Sequence, residues 1–282
     1  MITMTRRVMF SAAHADWLAS LSRADNEARF GPEASPEPYG HNYVLDVTVA
    51  GEIDPQTGIV VNIKEIDRIV RERVVQPLDK KFINKQVPAF CERPVTAETL
   101  VAFIASELAP HLPPAVTLTA LRLEQTPLHA VEWLAEEEPK EPGSMLSTRV
   151  YEFAASHRLY SPHLTEAEND ELFGKCAYLH GHGHNYVLEV TVAGPLDPCT
   201  GRVIEDAALD MIVHQEVVDR YDHRHFNYIP EFENKIPSSE VITRTIWERL
   251  RDHIPPPARL YRVVLRETAR NIFEYRGEED PT

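Results

Sequence analysis

Cys176-Ala177-Tyr178-Leu179-His180-Gly181-His182-Gly183-His184-Asn185-Tyr186 places a thiol and three histidines ahead of the apolar run Val187-Leu188-Glu189-Val190-Thr191-Val192. The run alternates as a half-buried strand does. Residues i and i+2 of a strand share a face, so His182 and His184 can meet one ion. Upstream, Tyr39-Gly40-His41-Asn42-Tyr43-Val44-Leu45-Asp46-Val47 repeats the pattern with tyrosine where His182 would stand.

The echo extends along the chain at a constant offset of 143 residues. It joins Phe10-Ser11-Ala12-Ala13-His14 to Phe153-Ala154-Ala155-Ser156-His157, and Asp54-Pro55 to Asp197-Pro198. It also joins Asp79 to Asp222 and Glu124 to Glu267. So long a period marks a duplicated domain rather than a solenoid, whose repeats run about 20–50 residues. Glu136-Glu137-Glu138-Pro139-Lys140-Glu141-Pro142-Gly143 has the charge and breakers of a solvated linker. The expected organisation is a first domain over 1–134, a linker over 135–147 and a second domain over 148–282. Each half reads as ββααββ: a strand carrying the first histidine, a polar excursion, the Asn-Tyr strand, two helices and two closing strands. In the first half the helices fall over 62–75, with Ile66, Ile69, Val70 and Val74 at helical spacing, and over 96–108, with Thr96 as N-cap. The fold class is α+β, helices packed on one face of an antiparallel sheet.

The 282 residues suffice for two cores, and 43% hydrophobic with 26% charged residues fits a globular protein. A formal charge of −15 argues against nucleic acid as a partner. No apolar run reaches the roughly 20 residues of a membrane span. Met1 to Arg7 lacks the apolar core of an export signal, so the three cysteines are expected to be reduced thiols in the cytoplasm.

An isolated His-x-His reads equally well as a surface cluster. His14 and His157, each 27 residues before His41 and His184, tip the balance toward metal, with His157 supplying a third nitrogen. Three imidazoles leave a tetrahedral zinc one open position, the catalytic pattern. His180 shares their parity and competes as a ligand. Beside zinc and after Lys175, the Cys176 thiol is expected to have a lowered pKa, as a base or nucleophile requires. Asp222-His223 is a second acid–base candidate, since a carboxylate can orient an imidazole. Cys91 and Cys199 read as structural.

Ser156-His157-Arg158-Leu159-Tyr160-Ser161, Leu172-Phe173-Gly174-Lys175-Cys176, Gly181-His182-Gly183-His184-Asn185-Tyr186, Asp222-His223 and Glu267-Thr268 resemble the 6-pyruvoyl-tetrahydropterin synthase family. The resemblance covers the second half closely and the first in degraded form. It implies two tandem tunnelling-fold units that assemble into antiparallel β-barrels, with three chains supplying six units as a homotrimer or, alternatively, a homohexamer. It implies a zinc lyase that eliminates triphosphate from 7,8-dihydroneopterin triphosphate to give 6-pyruvoyl-tetrahydropterin. By carry-over His157, His182 and His184 hold one zinc per chain, Cys176 is the general base, and Asp222 and His223 transfer protons. Glu267 anchors the pterin, and Ser238, Ser239 and Glu240 contact substrate. Lys175, Arg158 and Arg224 are candidate cations for the triphosphate. Two other readings stay open: 6-carboxy-tetrahydropterin synthase of queuosine synthesis, and a non-catalytic pterin-binding scaffold. By the same offset Tyr39 stands at His182, Glu33 at Cys176 and Lys80 at His223. The first half is therefore expected to keep the fold, to bind no metal, and to retain Glu124 as a possible pterin contact.

Overall fold

In a computed structural model the chain is described over residues 1–31, 34–135 and 144–277. Glu33 and most of the expected linker lie outside these residues. The chain divides into two compact units, Met1–Ser147 with Ala193–Val203, and Thr148–Val192 with Ile204–Thr282.

The first unit contains β1 (Ile2–His14), β2 (Tyr39–Gly51), β3 (Val116–Thr126) and β4 (His129–Leu134), ordered β1-β2-β3-β4 and antiparallel throughout. The β1–β2 register sets His14 opposite Tyr39 and Ala12 opposite His41. Strand alternation is as expected: Leu45, Val47 and Val49 are buried while Asp46 and Thr48 are half-exposed. Helices Ile63–Val70 and Ala97–Leu108 supply the apolar layer, the second packing on β3 and β4. The first runs on through a π-helical turn, Arg71–Val75, to Gln76–Leu78. Ile66, Val70, Val74, Leu100, Ile104 and Leu108 are all sealed from solvent. Thr96 caps the second helix, accepting a hydrogen bond from the Thr99 backbone N–H.

The second unit repeats this plan with β5 (Ser144–His157), β6 (His182–Pro195), β8 (Arg259–Arg266) and β9 (Ile272–Tyr275), in that order. The short β7 (Arg224–His225) pairs in parallel with β5. Helices Asp206–Val213 and Ser239–Leu250 cover the sheet, and Leu188, Val190, Leu209, Ile242, Ile246 and Val263 fill the core. The mixed, antiparallel architecture thus appears twice. The segment 193–203 clusters with the first unit because Thr96 Oγ1 donates to Gly201 O at 2.7 Å and Val203 N–H donates to Glu98 Oε1 at 3.5 Å.

The polar excursion after each first strand is more ordered than its sequence suggests. It holds a short helix in both units, Arg23–Phe30 and Glu166–Phe173. A buried asparagine organises each. Asn169 Oδ1 accepts from Ser161 N at 2.7 Å, and its Nδ2 donates to the carbonyls of Ser161, Leu164 and Thr165. Asn26 does the same for Leu18, Leu21 and Ser22. Stranded buried polar groups cost about 1–3 kcal/mol each. Asn169→Ala is therefore expected to destabilise the protein by about 2–4 kcal/mol in urea titration; a change below about 0.5 kcal/mol would sink this reading.

Candidate metal centre and acid–base site

β5 ends at His157 and β6 begins at His182, so the two strands deliver three imidazoles to one place. The donor atoms of His157, His182 and His184 lie within 4.8 Å of one another. The turn before β6 makes this possible. Gly181 has φ +65°, and a Cβ there would stand 2.2 Å from the His157 carbonyl oxygen, so only glycine allows that approach. His180 remains in the turn, outside the cluster.

The ring nitrogens are arranged as ligands should be. His157 donates Nδ1–H to Pro237 O at 2.7 Å, fixing the tautomer that leaves Nε2 as a lone pair. His157 Nε2, His184 Nε2 and His182 Nδ1 are buried without a hydrogen-bond partner. Buried polar atoms normally find partners, so three converging orphans imply something bound there. Burial lowers the basicity of His157 and of His184, keeping both neutral. Three converging imidazole nitrogens in a confined site fit zinc.

Glu267, at the end of β8, reaches in with Oε1 at 3.7 Å from both His157 Nε2 and His184 Nε2. Burial would raise its pKa, but hydrogen bonds from Ser239 Oγ at 2.6 Å and Asn271 Nδ2 at 2.9 Å, with the nearby histidines, hold it below the usual carboxylate range. Asn271 was not anticipated; only its position four residues after Glu267 signals it. Ser239 is itself buried and committed to this carboxylate. Ser238 caps its helix, and Glu240 is exposed in the first turn.

Cys176 Sγ stands 3.8 Å from His182 Nε2. Burial and then the Glu267 charge push its thiol up; the lowering expected from sequence supposes zinc at the histidines. Sequence shows Lys175 beside the thiol but not the carboxylate that folding brings to it. A divalent ion on the histidines would oppose both effects.

Asp222 and His223 form a second assembly, joined Oδ2 to Nδ1 at 2.8 Å. Asp222 Oδ1 accepts from Ala154 N, and His223 N donates to Ala154 O, with His223 at φ +56°. The Ala154 hydrogen bond and then His223 hold the Asp222 carboxyl below its ordinary range. The His223 side chain is 84% exposed. With Arg224 it lines a cleft of about 550 Å³ that Cys176 does not enter. Arg158 is engaged elsewhere, donating from Nε to Ala177 O and lying 4.1 Å over the Tyr160 ring.

The first unit keeps the frame and changes the groups. Asp79 Oδ1 accepts from Ser11 N, Lys80 N donates to Ser11 O, and Lys80 has φ +57°. His14, Tyr39 and His41 are in ring contact, with centroids 4.4–5.6 Å apart. Glu124 accepts from Arg122 at 3.1 Å, where Glu267 accepts from Ser239.

Fold and site together define a duplicated α+β protein with a three-histidine centre in one repeat. The profile of 6-pyruvoyl tetrahydropterin synthase matches residues 3–136 and again 147–278. The chain belongs to that family. It is 43% identical over 131 residues to the 6-pyruvoyl tetrahydrobiopterin synthase of Drosophila melanogaster, covering 46% of this chain and 78% of the relative. It is 40% identical over 132 residues to the human protein of that name, covering 46% and 90%. A 6-carboxy-5,6,7,8-tetrahydropterin synthase of Bacillus subtilis is 28% identical over 116 residues, covering 39% and 75%. The solved 6-pyruvoyl tetrahydropterin synthase of Caenorhabditis elegans is similar at 39% identity and TM-score 0.46, over 48% of this chain and 96% of its own.

Proposed function

We propose that the second unit is a zinc-dependent 6-pyruvoyl-tetrahydropterin synthase acting on 7,8-dihydroneopterin triphosphate. The observation that carries this reading is the convergence of three buried, unpartnered histidine nitrogens beside a cysteine and a carboxylate. Bound by His157, His182 and His184, zinc would supply Lewis acidity toward a side-chain oxygen of the substrate.

The protein groups do the rest. Glu267, fixed by Ser239 and Asn271, offers two oxygens to the paired N–H donors of a pterin edge. Cys176, as thiolate, takes a carbon-bound proton of the side chain. Loss of that proton and departure of triphosphate from the adjacent carbon complete a β-elimination. Asp222 orients His223 Nδ1–H, leaving Nε2 to accept or return a proton. That pair lies in a cleft without Cys176, so the proposal assigns it to substrate held by an assembled neighbour. Association into barrels, three chains giving six units, belongs to the same proposal; a monomeric mass in light scattering would overturn it. Among the described residues no helix is long and apolar enough to cross a membrane, and the proposed compartment is the cytoplasm.

The test is incubation of the zinc-loaded protein with dihydroneopterin triphosphate and identification of the products. Triphosphate with a pyruvoyl pterin supports the proposal. Acetaldehyde with a carboxy pterin would assign the alternative chemistry, and no turnover would leave a pterin-binding scaffold. Hydrogen bonds to a charged group contribute about 1.5–3 kcal/mol. Glu267→Gln is accordingly expected to raise KM roughly tenfold to hundredfold while zinc content stays unchanged. An unaltered KM would remove Glu267 from the substrate site.

A further inference from the structure

The chain carries the same turn twice, in two surroundings. Over 197–203, Asp197 N donates to Arg202 O at 2.9 Å, Gly201 N donates to Asp197 O at 2.8 Å, and Gly201 has φ +73°. Over 54–60, Asp54 N donates to Ile59 O at 3.0 Å, Gly58 N donates to Asp54 O at 2.7 Å, and Gly58 has φ +72°. The 197–203 turn packs as part of the first unit. Its seat is the start of helix Ala97–Leu108. Thr96 Oγ1 donates to Gly201 O at 2.7 Å, and a Cβ on Gly201 would stand 2.7 Å from Thr99 Cγ2 and 3.3 Å from Pro94 Cβ. Gly201, Val203 and Ile204 are buried there. The 54–60 turn has no such seat. Among the described residues nothing lies within 4 Å of a Cβ built on Gly58, and Ile59 is 49% exposed.

The second unit has an equivalent seat. Thr96 and Ser238 are the N-caps of matching helices, so the counterparts of Pro94, Thr96 and Thr99 are Ile236, Ser238 and Val241. All three line a cavity of about 1040 Å³. None of His157, His182, His184, Cys176 or Glu267 lines it, so it is separate from the metal centre. Turn and seat also differ in a matched way. At the filled seat Arg202 Nη2 lies 3.8 Å from Asp16 Oδ1. At the offset of 143 their counterparts are Ile59, on the exposed turn, and Leu159, beside the cavity-lining Tyr160. An ion pair in one place is answered by two apolar side chains in the other. The strands repeat the contrast. Within the first unit His129 of β4 and Ser147 of β5 are buried, Nε2 and Oγ 3.2 Å apart. Their counterparts are Ile272 of β9, 49% exposed, and Met4 of β1. β1 and β9 stand at the two ends of the strand order, where backbone groups await a partner.

We infer that the 54–60 turn of one chain sits, head to tail, in the cavity that Ile236, Ser238 and Val241 line in the next. The inference rests on the assembly proposed above and names its partner, a second copy, and the two surfaces that meet. Ile59 is then covered against Leu159, and Ser238 Oγ donates to Gly58 O as Thr96 Oγ1 donates to Gly201 O. The matched side chains also keep the two turns apart. An Ile59 turn on the first-unit seat would leave the Asp16 carboxylate without its guanidinium, and an Arg202 turn on the second-unit seat would set a charge against Leu159. A head-to-tail contact closes into a ring when its rotation allows.

The experiment measures the mass of the full-length chain by sedimentation velocity, with far-UV circular dichroism as the check on folding. Ile59→Arg and, separately, Val241→Arg are each expected to fall to the mass of one chain with wild-type dichroism. Gln56→Arg adds the same charge to the same turn, at the counterpart of the exposed Cys199, and is expected to keep the wild-type mass. In a head-to-tail contact the Ile59→Arg chain retains a sound cavity and the Val241→Arg chain a sound turn. Mixed, the two are expected to form a species of twice the mass of either alone. Should Ile59→Arg melt early, Gly58→Asn takes its place with the same expectation, since asparagine tolerates the left-handed φ. A wild-type mass for the Ile59→Arg chain, dissociation of the Gln56→Arg chain, or a mixture that stays at one chain overturns the inference while the assembly stands. A wild-type protein that is itself a single chain means that the proposed assembly has failed, and this contact with it.

Discussion

His182→Ala is expected to empty the second unit of zinc and to reduce triphosphate elimination about a thousandfold. The magnitude follows from the loss of Lewis-acid stabilisation, several kcal/mol of transition-state energy, at about 1.4 kcal/mol for each factor of ten. The fold should survive, because His182 opens β6 and is only half-buried, whereas the core beneath it is carried by Tyr186, Leu188 and Val190. Zinc content by mass spectrometry and elimination by phosphate-release assay read the two effects separately. Retention of a full zinc complement would mean that His182 is not a ligand. Zinc lost with activity intact would mean that the metal is structural. At the equivalent position of the first unit stands Tyr39, an aromatic ring of similar bulk whose hydroxyl donates to Asp16.

Cys176→Ala should give the complementary result, with zinc retained and kcat reduced about 100- to 10,000-fold, the range for removing a positioned general base. The geometry favours separable effects. Sγ is 3.8 Å from His182 Nε2, outside the three-nitrogen cluster. The thiol sits on a short 3₁₀ turn, Gly174–Ala177, rather than on either histidine strand. A kcat within threefold of wild type would exclude Cys176 as the base. Loss of zinc together with activity would instead make it a ligand.

The parts of the site legible from sequence are those whose geometry is periodic or duplicated. The i, i+2 spacing of His182 and His184 on a strand places both rings on one face, and the 143-residue offset brings in His157. Three features of the candidate metal centre were not legible. Pro237 acts through its carbonyl, which every residue possesses, so no side chain advertises it. Ser239 carried an expected role toward substrate, yet its hydroxyl is spent on Glu267, an outcome of helix and strand meeting in space. The raised Cys176 thiol follows from burial and then from that same carboxylate. The ββααββ order was readable because burial imposes periodicity on strands and helices. The helices Arg23–Phe30 and Glu166–Phe173 carry no helical signal in sequence because they are largely polar and are organised by buried Asn26 and Asn169 rather than by an apolar stripe.

The left-handed residues Lys80 and His223 have a consequence beyond either unit. Their φ values, +57° and +56°, agree although one side chain is an ammonium and the other an imidazole. Each hangs on one backbone bond to the first strand of its unit and on the equivalent aspartate, which accepts from the same strand residue. What has been inherited at this corner is a shape, maintained by main-chain atoms and one carboxylate and indifferent to the group it displays. The molecule therefore contains its own matched control, a site with identical backbone and altered chemistry in the same polypeptide, solvent and concentration. Side chains exchanged between the two corners would be compared at constant scaffold, an experiment that relatives with a single copy of the unit do not permit.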